Sequence, residues 1–321
     1  MSDAAESRSA AAGSPPEEYG TLYVVGIGPG LPDHATKRAV DVIESADCVI
    51  ASDLYQAFLR EDGTLPPEDA GAGGGSGEGG DATASDDTGA DEDARVGDDT
   101  DGEPAVDPRP DQEVVRSSMG RQVELAREAF ERVRDGQDVA HVSGGDPNVY
   151  GKSDLLYLMA DEEDATDVPI EIVPGVTAAL GGAANLGAPL SNDFCTISLS
   201  DKWRGWDEIA EKLRAAAISG FVIVLYNCWR DYERAIEVLR EERADDVPVA
   251  IVDDAGRDDA GRNADGETET LTTLGEVTAH ADEIGGMGTS ILIGTHETDV
   301  WRNDYREFLV TPRGGRDVED F

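Results

Sequence analysis

The chain is poor in basic side chains, cysteine, aromatic residues and long apolar runs. Its 26 lysines and arginines stand against 69 aspartates and glutamates, which leaves a formal net charge of −43. Such a charge repels nucleic-acid backbones and anionic lipid surfaces, so neither is expected as a partner. No run of about 18 uncharged apolar residues is present, and residues 1–20 contain no apolar signal segment, so no membrane span or leader is predicted.

The three cysteines, Cys48, Cys195 and Cys228, form no Cys-x-x-Cys pair, and the four histidines are widely scattered. No metal site is therefore predicted, and a reducing cytoplasm is the expected compartment. The excess of carboxylates extends over the whole chain, as is typical of proteins in concentrated salt, where the Debye length falls to about 3 Å at 1 M. We interpret the acidity as a halophilic adaptation and expect a soluble globular protein.

Three segments lack the apolar residues that a packed core requires. Residues 1–19 and 315–321 are polar tails, and residues 61–111 are rich in glycine and acidic side chains. The central segment cannot bury enough surface to offset its chain entropy, so it is predicted to be a disordered insertion that loops out of a compact domain. A docking role for this acidic insertion is the alternative.

Elsewhere, short apolar runs alternate with helical patterns. The run TLYVVGIG precedes ATKRAVDVIESA, in which Ala35, Ala39, Val42 and Ile43 share one helical face, and DCVIAS is the next apolar run. Strand, helix and strand in this order form the unit of a parallel sheet. A second series begins with the small-residue helix TAALGGAANLGAPL and ends with SILIGTH, which is predicted to be the last strand. We predict an α/β fold with two domains, residues 20–175 and 176–314.

Three glycine-rich turns follow predicted strands. The first, GIGPG, departs from the dinucleotide-binding fingerprint because Leu31 stands where the third glycine should be, and no Gly-Lys-Ser/Thr follows as in a P-loop. The second is SGGDPNVYG over residues 143–151, and the third is VPGVTAALGGAA over residues 173–184. Several such turns at strand ends indicate a cleft in which backbone groups approach a ligand closely.

The motifs GIGPG, SGGDPNVYG and PGVTAA, in this order, resemble those of the S-adenosylmethionine-dependent tetrapyrrole (corrin/porphyrin) methylases. The stretches LGAPLSNDFCTISLSD, VPVAIVDDAGR and LVTPRG are similar to the precorrin-3B C-17 methyltransferase branch of that family. Two turns depart from the branch's pattern, Asn227-Cys228-Trp229-Arg230 and GTHET at residues 294–298. The resemblance implies two α/β domains with S-adenosylmethionine in the cleft between them, a corrinoid substrate and a homodimer.

The resemblance also implies a reaction. This is methyl transfer from S-adenosylmethionine to C-17 of precorrin-3B or cobalt-precorrin-3, with ring contraction, in cobalamin biosynthesis. One alternative is a methylase for another position of the corrin ring. Another is a catalytically silent tetrapyrrole or S-adenosylmethionine binding protein, although the intact glycine turns argue against silence. Because an electron-rich ring carbon supplies its own electrons, no catalytic residue is assigned, and His141 is interpreted as a core residue.

Two sets of binding residues are predicted. The cofactor set carries over the family's contacts residue by residue and comprises Gly28, Pro29, Gly144, Gly145, Asp146, Val149, Thr177, Ala178, Asn227 and Ala255. Asp146 stands out because an acidic residue after two glycines has no evident structural need beyond capping the next helix. The substrate set comprises Ser117, Ser118, Met119, Ser200, Asp201, Arg204 and Arg230. Arg116, Lys202 and Arg257 are further cations that would pair either with substrate carboxylates or with the chain's own acids.

Overall fold

The computed structural model describes residues 18–30, 32–67, 111–118, 120–202, 204–257 and 266–314. Most of the predicted insertion, most of the two predicted tails and Met119 lie outside these ranges. Among the helices that the structure describes, none combines the length and the apolar character needed to cross a membrane.

The N-terminal half forms a parallel sheet with helices on both faces. Its strands are β1 (Leu22–Gly26), β2 (Cys48–Ala51), β3 (Glu113–Arg116), β4 (Val139–Ser143) and β5 (Ile170–Val173). They lie in the order β3-β2-β4-β1-β5, and each pairing is parallel. The helices are α1 (Lys37–Ser45), α2 (Asp53–Glu61), α3 (Gln122–Arg134) and α4 (Ser153–Glu162). Strands β2 and β4 are buried at every residue, as a parallel sheet covered on both faces requires.

Local signals explain where these helices form and which face they bury. Thr36 caps α1, since its Oγ1 accepts a hydrogen bond from the Ala39 amide at 3.1 Å. Helix α1 buries Ala39, Val42 and Ile43, which confirms the predicted apolar face. Together with α2 it packs on one face of the sheet, while α3 and α4 pack on the other around Phe130.

The predicted insertion starts too early. Helix α2 continues to Glu61, and Leu65 is buried in the core cluster that α1 and α2 form. The Leu65 amide also donates a hydrogen bond to the Leu59 carbonyl at 2.7 Å. Residues 61–67 therefore belong to the packed N-terminal unit, and the boundary at Glu61 is wrong. A single buried leucine anchors a stretch whose average composition is polar.

The C-terminal half contains a second five-stranded sheet with helices on both faces. Its elements are α5 (Ala178–Leu186), β7 (Phe194–Ser198), α6 (Trp206–Ile218), β8 (Val222–Tyr226), α7 (Tyr232–Arg240), β9 (Pro248–Asp253), β10 (Thr268–Thr273) and β11 (Ser290–Ile293). The strand order is β10-β9-β11-β8-β7. Because β11 is antiparallel to both β8 and β9, and β7 is parallel to β8, the strands β7, β8 and β9 all end at the same edge. Helix α5 packs on one face of this sheet, and α6 and α7 pack on the other.

The end of the chain differs from the prediction that SILIGTH forms the last strand. Strands β12 (Asp299–Arg302) and β13 (Glu307–Val310) form an antiparallel pair beyond it, and β13 pairs with β6 (Gly187–Ala188). Helix α5 correspondingly ends at Leu186 rather than continuing through the predicted TAALGGAANLGAPL. Strand β12 is exposed at each of its residues, so no buried apolar run marks it in the sequence.

Candidate functional site

The three glycine turns of the N-terminal half interlock at the carboxyl ends of β1, β4 and β5. Gly28 and Gly145 exchange two backbone hydrogen bonds, with N–O distances of 3.3 and 2.6 Å. Both glycines have positive φ angles, 78° and 68°, which side chains rarely tolerate. A Cβ on Gly26 would lie 2.6 Å from the Gly145 carbonyl oxygen and 2.8 Å from the Gly175 nitrogen. Glycine therefore permits three backbone segments to meet here.

Asp146 holds two of these turns together. Its Oδ1 accepts a hydrogen bond from the Asn148 amide at 2.8 Å, and its Oδ2 accepts one from the Gly175 amide at 3.1 Å. The carboxylate therefore ties the turn after β4 to the turn after β5. Capping of the next helix was the expected structural use of Asp146. That expectation is wrong, because the N-cap of α4 is Lys152 and Asp146 links two turns instead. Contact between Asp146 and a ligand stays a prediction.

Pro29 joins the first turn to the C-terminal half. It is buried, and a Cβ on Gly181 of α5 would lie 2.8 Å from its Cγ. Arg257, which follows β9, donates from Nε to the Pro29 carbonyl at 3.2 Å. The same guanidinium forms an ion pair with the buried Asp254 at 2.7 Å. Arg257 thus connects the two halves. Its charge is paired with Asp254, so no substrate carboxylate is needed to explain it.

The first turn of α5 is fastened by Tyr226 at the end of β8. The hydroxyl of Tyr226 lies 2.6 Å from Thr177 Oγ1 and accepts a hydrogen bond from the Ala179 amide at 2.7 Å. Burial raises the pKa of this phenol, so it is neutral at ordinary pH. The arrangement fixes Thr177 and Ala178 at the positive end of the helix, the end that attracts anions. Ala255 is buried beside α5, where a Cβ on Gly182 would lie 3.5 Å from its own Cβ.

Several predicted residues of the C-terminal half converge on Ser198, the last residue of β7. Asn227 Nδ2 donates to Ser198 Oγ at 3.0 Å, and the Ser200 amide donates to the same oxygen at 3.3 Å. The Arg204 guanidinium donates to the Ser198 carbonyl oxygen. Two predicted substrate residues stay outside this cluster: Asp201 is exposed, and Arg230 is exposed and stacks on the Trp229 ring at 4.0 Å.

Tyr150 links the turn after β4 to the second sheet. Its hydroxyl donates to the Thr196 carbonyl of β7 at 2.9 Å, and its ring lies 5.2 Å from the ring of Tyr226. Its backbone has a φ of 57°, an uncommon value for a tyrosine. Neither Tyr150 nor Tyr226 was predicted as a site residue; Tyr150 lies within the SGGDPNVYG motif, and Tyr226 is the last residue of β8. Val149 lies in the same turn, where its amide donates to the Asp146 carbonyl at 3.1 Å.

Ser117, which follows β3, has a lysine as its neighbour that the sequence did not indicate. Ser117 is buried, whereas Ser118 is exposed. Lys152 Nζ donates to Ser117 Oγ at 3.4 Å, and burial lowers the pKa of this lysine to about 8. Arg116, in contrast, forms an ion pair with Asp53 at 2.5 Å. His141 is buried in β4 as expected, and its Nδ1 has no hydrogen-bond partner among the described residues.

Loops from six strand ends therefore meet around the start of α5: those after β1, β4 and β5 from the first sheet, and those after β7, β8 and β9 from the second. The structure brings together Gly28, Pro29, Gly144, Gly145, Asp146, Val149, Thr177, Ala178, Asn227 and Ala255 on these loops and at this helix end. Of the predicted substrate residues, Met119 lies outside the described residues.

Curated relatives resemble the chain over most of its length. It is 34% identical to a precorrin-3B C(17)-methyltransferase of Sinorhizobium sp, with 92% of this chain and 96% of the relative covered. It is 30% identical to the cobalt-factor III methyltransferase of Priestia megaterium, but it spans only 45% of that protein's length. It is 32% identical to a probable cobalt-factor III C(17)-methyltransferase of Methanothermobacter thermautotrophicus, of which it covers 66%.

Solved structures show the same fold. The methyltransferase CobJ superposes with a TM-score of 0.67 at 23% identity, covering 91% of this chain and all of that one. A uroporphyrin-III C-methyltransferase of Thermus thermophilus, complexed with S-adenosylhomocysteine, superposes with a TM-score of 0.56 at 22% identity and covers 86% of this chain and 97% of its own. The family model described as Tetrapyrrole (Corrin/Porphyrin) Methylases matches residues 21–262. The chain therefore belongs to the tetrapyrrole (corrin/porphyrin) methylase family.

Proposed function

We propose that the protein is an S-adenosylmethionine-dependent methyltransferase that methylates C-17 of precorrin-3B or cobalt-precorrin-3, with ring contraction, in cobalamin biosynthesis. The observation that carries the proposal is the 34% identity to a precorrin-3B C(17)-methyltransferase over nearly the full length of both chains. The meeting of loops from both sheets around α5 supports it, because a cleft of this kind is where open α/β sheets bind ligands.

The residues around α5 fit S-adenosylmethionine. A Cβ on Gly145 would meet Thr177 Cα at 3.7 Å, an ordinary van der Waals distance, so the backbone at Gly145 lies directly beside the start of α5. The positive helix end at Thr177 and Ala178 suits the carboxylate of the cofactor's methionine part. Asn227 and Ala255 follow β8 and β9, which end at the same edge of the second sheet with β11 between them, and would flank the adenine.

The role of the protein in catalysis is positional. Methyl transfer from a sulfonium is an in-line displacement, and a bound S-adenosylmethionine supplies the electrophilic methyl group. The interlocked turns at Gly28 and Gly145 present rigid backbone to the ligand, since each is held by hydrogen bonds to the other. The Tyr226 hydroxyl fixes the first turn of α5, so the helix end that would bind the cofactor's carboxylate is held in place.

The proposal also covers the domain limits, the oligomeric state and the cellular compartment of the protein. The packing of α5 on the second sheet supports the proposed domain limits 20–175 and 176–314. We also propose a homodimer, as the resemblance to the family implies. The charge of −43 supports a cytoplasm with concentrated salt and the absence of nucleic-acid or membrane partners.

A regiochemical experiment tests this function against its alternatives. The protein is incubated at high salt with methyl-labelled cofactor and a trimethylated precursor, in the metal-free and the cobalt form. We expect a tetramethylated, ring-contracted product with the label at C-17. Label at C-11 or C-20 would identify a methylase for another ring position. Absence of label with both precursors, together with tight cofactor binding, would identify a silent binding protein.

A further inference from the structure

The strongest unexplained feature of the molecule is the environment of Lys152. This residue ends the turn after β4, and its Nζ lies 3.4 Å from Oγ of the buried Ser117, which follows β3. Strands β3 and β4 flank β2 in a parallel sheet, so both residues lie at the edge where the glycine turns meet. Lys152 therefore lies at the sheet edge on which the proposed cleft is built.

Lys152 carries a charge that no described residue neutralises. Among the described residues, the Ser117 hydroxyl is the polar group within hydrogen-bond distance of Nζ, and no carboxylate forms an ion pair with it. Burial alone accounts for the lowering of its pKa to about 8. Such isolation is notable in a chain with 69 acidic residues. Arg116, only one residue from Ser117, has Asp53 as its partner.

His141 adds a second buried polar group at the same place. It lies in β4, is 1% exposed, and has no hydrogen-bond partner for Nδ1 among the described residues. Burial and, after it, the positive charge of Lys152 lower the pKa of His141 to about 3, so the imidazole is neutral at ordinary pH. Lys152 and Ser117 therefore place one cation and one hydroxyl near a neutral imidazole, and the cation favours an anionic ligand.

We propose that Lys152 and Ser117 form a subsite for one carboxylate of the macrocycle, an acetate or propionate side chain, and thereby fix how the ring is rotated in the cleft. This inference rests on the proposed function, which supplies a ligand with several carboxylates. A carboxylate beside Nζ would form the ion pair that no described residue supplies, and Ser117 Oγ would donate the second hydrogen bond. In a chain of charge −43, a local cation of this kind is needed to hold an anionic ligand.

Three variants test the subsite. Lys152→Met removes the charge at similar length, Lys152→Arg retains it, and Lys212→Met is the control, since Lys212 forms an exposed ion pair with Glu208 on α6. Dissociation constants are measured by calorimetry for precorrin-3B or cobalt-factor III and, separately, for S-adenosylhomocysteine. We expect Lys152→Met to weaken macrocycle binding about tenfold or more, as loss of a charge-assisted hydrogen bond would. Cofactor binding should stay within about twofold, and Lys152→Arg should recover part of the loss.

Stability distinguishes this role from a structural one. Because Lys152 has no carboxylate partner in the described part of the chain, Lys152→Met should fold with an unchanged or higher melting temperature. Macrocycle binding by Lys152→Met that equals that of the original chain would overturn the inference alone. Equal weakening of cofactor and macrocycle, or a lowered melting temperature that accounts for the loss, would also overturn it. Failure of the original chain to bind either macrocycle would overturn the proposed function as well.

Discussion

At the scale of single residues, Asp146 contributes to the site by positioning the backbone of two turns. Its two oxygens accept hydrogen bonds from Asn148 and Gly175, so it aligns the turns that would surround the cofactor. We expect Asp146→Ala to weaken binding of S-adenosylhomocysteine at least tenfold, which corresponds to about 1.4 kcal/mol. Asp146→Asn keeps one acceptor oxygen and should lose less. Calorimetric titration of both variants is the measurement, and unchanged affinity in Asp146→Ala would remove this residue from the site.

His141 makes a separate prediction about pH. Burial lowers its pKa in the folded chain from 6.5 to about 3. Between these values the unfolded chain binds more protons than the folded one, so the free energy of unfolding falls as the pH is lowered through this window. Lowering the pH from 7 to 5 should therefore cost about 2 kcal/mol through this residue.

The measurement compares the original chain with His141→Gln. Denaturant unfolding at pH 7 and pH 5 gives the decrease in the free energy of unfolding for each protein. This decrease should be smaller in the variant by about 2 kcal/mol. Any constant destabilisation caused by the substitution cancels in this comparison. An identical loss in both proteins would show that His141 titrates normally in the folded chain.

At the scale of secondary-structure elements, α5 combines poor helix propensity with close packing. Gly181 and Gly182 lie inside this helix, where each glycine costs about 1 kcal/mol relative to alanine. The cost has a structural reason, because a Cβ on Gly181 would lie 2.8 Å from Cγ of the buried Pro29. The small residues allow the first glycine turn to rest on the helix.

Gly181→Ala should therefore disturb the site without unfolding the protein. The gain in helix propensity, about 1 kcal/mol, offsets part of the clash with Pro29, but the turn after β1 must shift. We expect affinity for S-adenosylhomocysteine to fall several-fold, while the melting temperature changes little. Gly205→Ala is the matched control, because a Cβ there meets nothing within 4 Å. Equal affinities in the two variants would show that the contact with Pro29 does not position the cofactor.

At the scale of the whole molecule, the predicted insertion consists of two parts. Residues 61–67 pack on the N-terminal unit, and the second part begins at residue 68. Joining Pro67 to Asp111 through a short glycine linker should leave folding and turnover within about twofold, because loop-closure entropy depends weakly on length. Joining Arg60 to Gln112 also deletes Leu65, which is 1% exposed, and should cost about 2–3 kcal/mol. Melting curves and methyl-transfer rates of the two shortened chains are the measurements. A large loss of activity in the first, with its fold intact, would support the docking alternative.

The sequence alone determined the α/β alternation, the two-part architecture and the family, because these depend on local patterns. Apolar runs such as β2 and β4 are buried on both faces, and the three glycine turns follow strand ends directly. Most of the predicted cofactor residues lie on those turns. Composition averaged over a long polar stretch, however, concealed Leu65, and the fully exposed β12 left no apolar pattern to detect.

The tertiary structure alone decided which residues that are distant in the sequence contact each other. The bond between Arg257 and the Pro29 carbonyl joins residues 228 positions apart, and that between Tyr226 and Thr177 joins residues 49 apart. No local pattern encodes such contacts, since they depend on how the loops of two sheets meet. The same holds for Lys152, whose type and position are visible in the sequence. Its burial beside Ser117, and the absence of a carboxylate partner among the described residues, follow from packing alone.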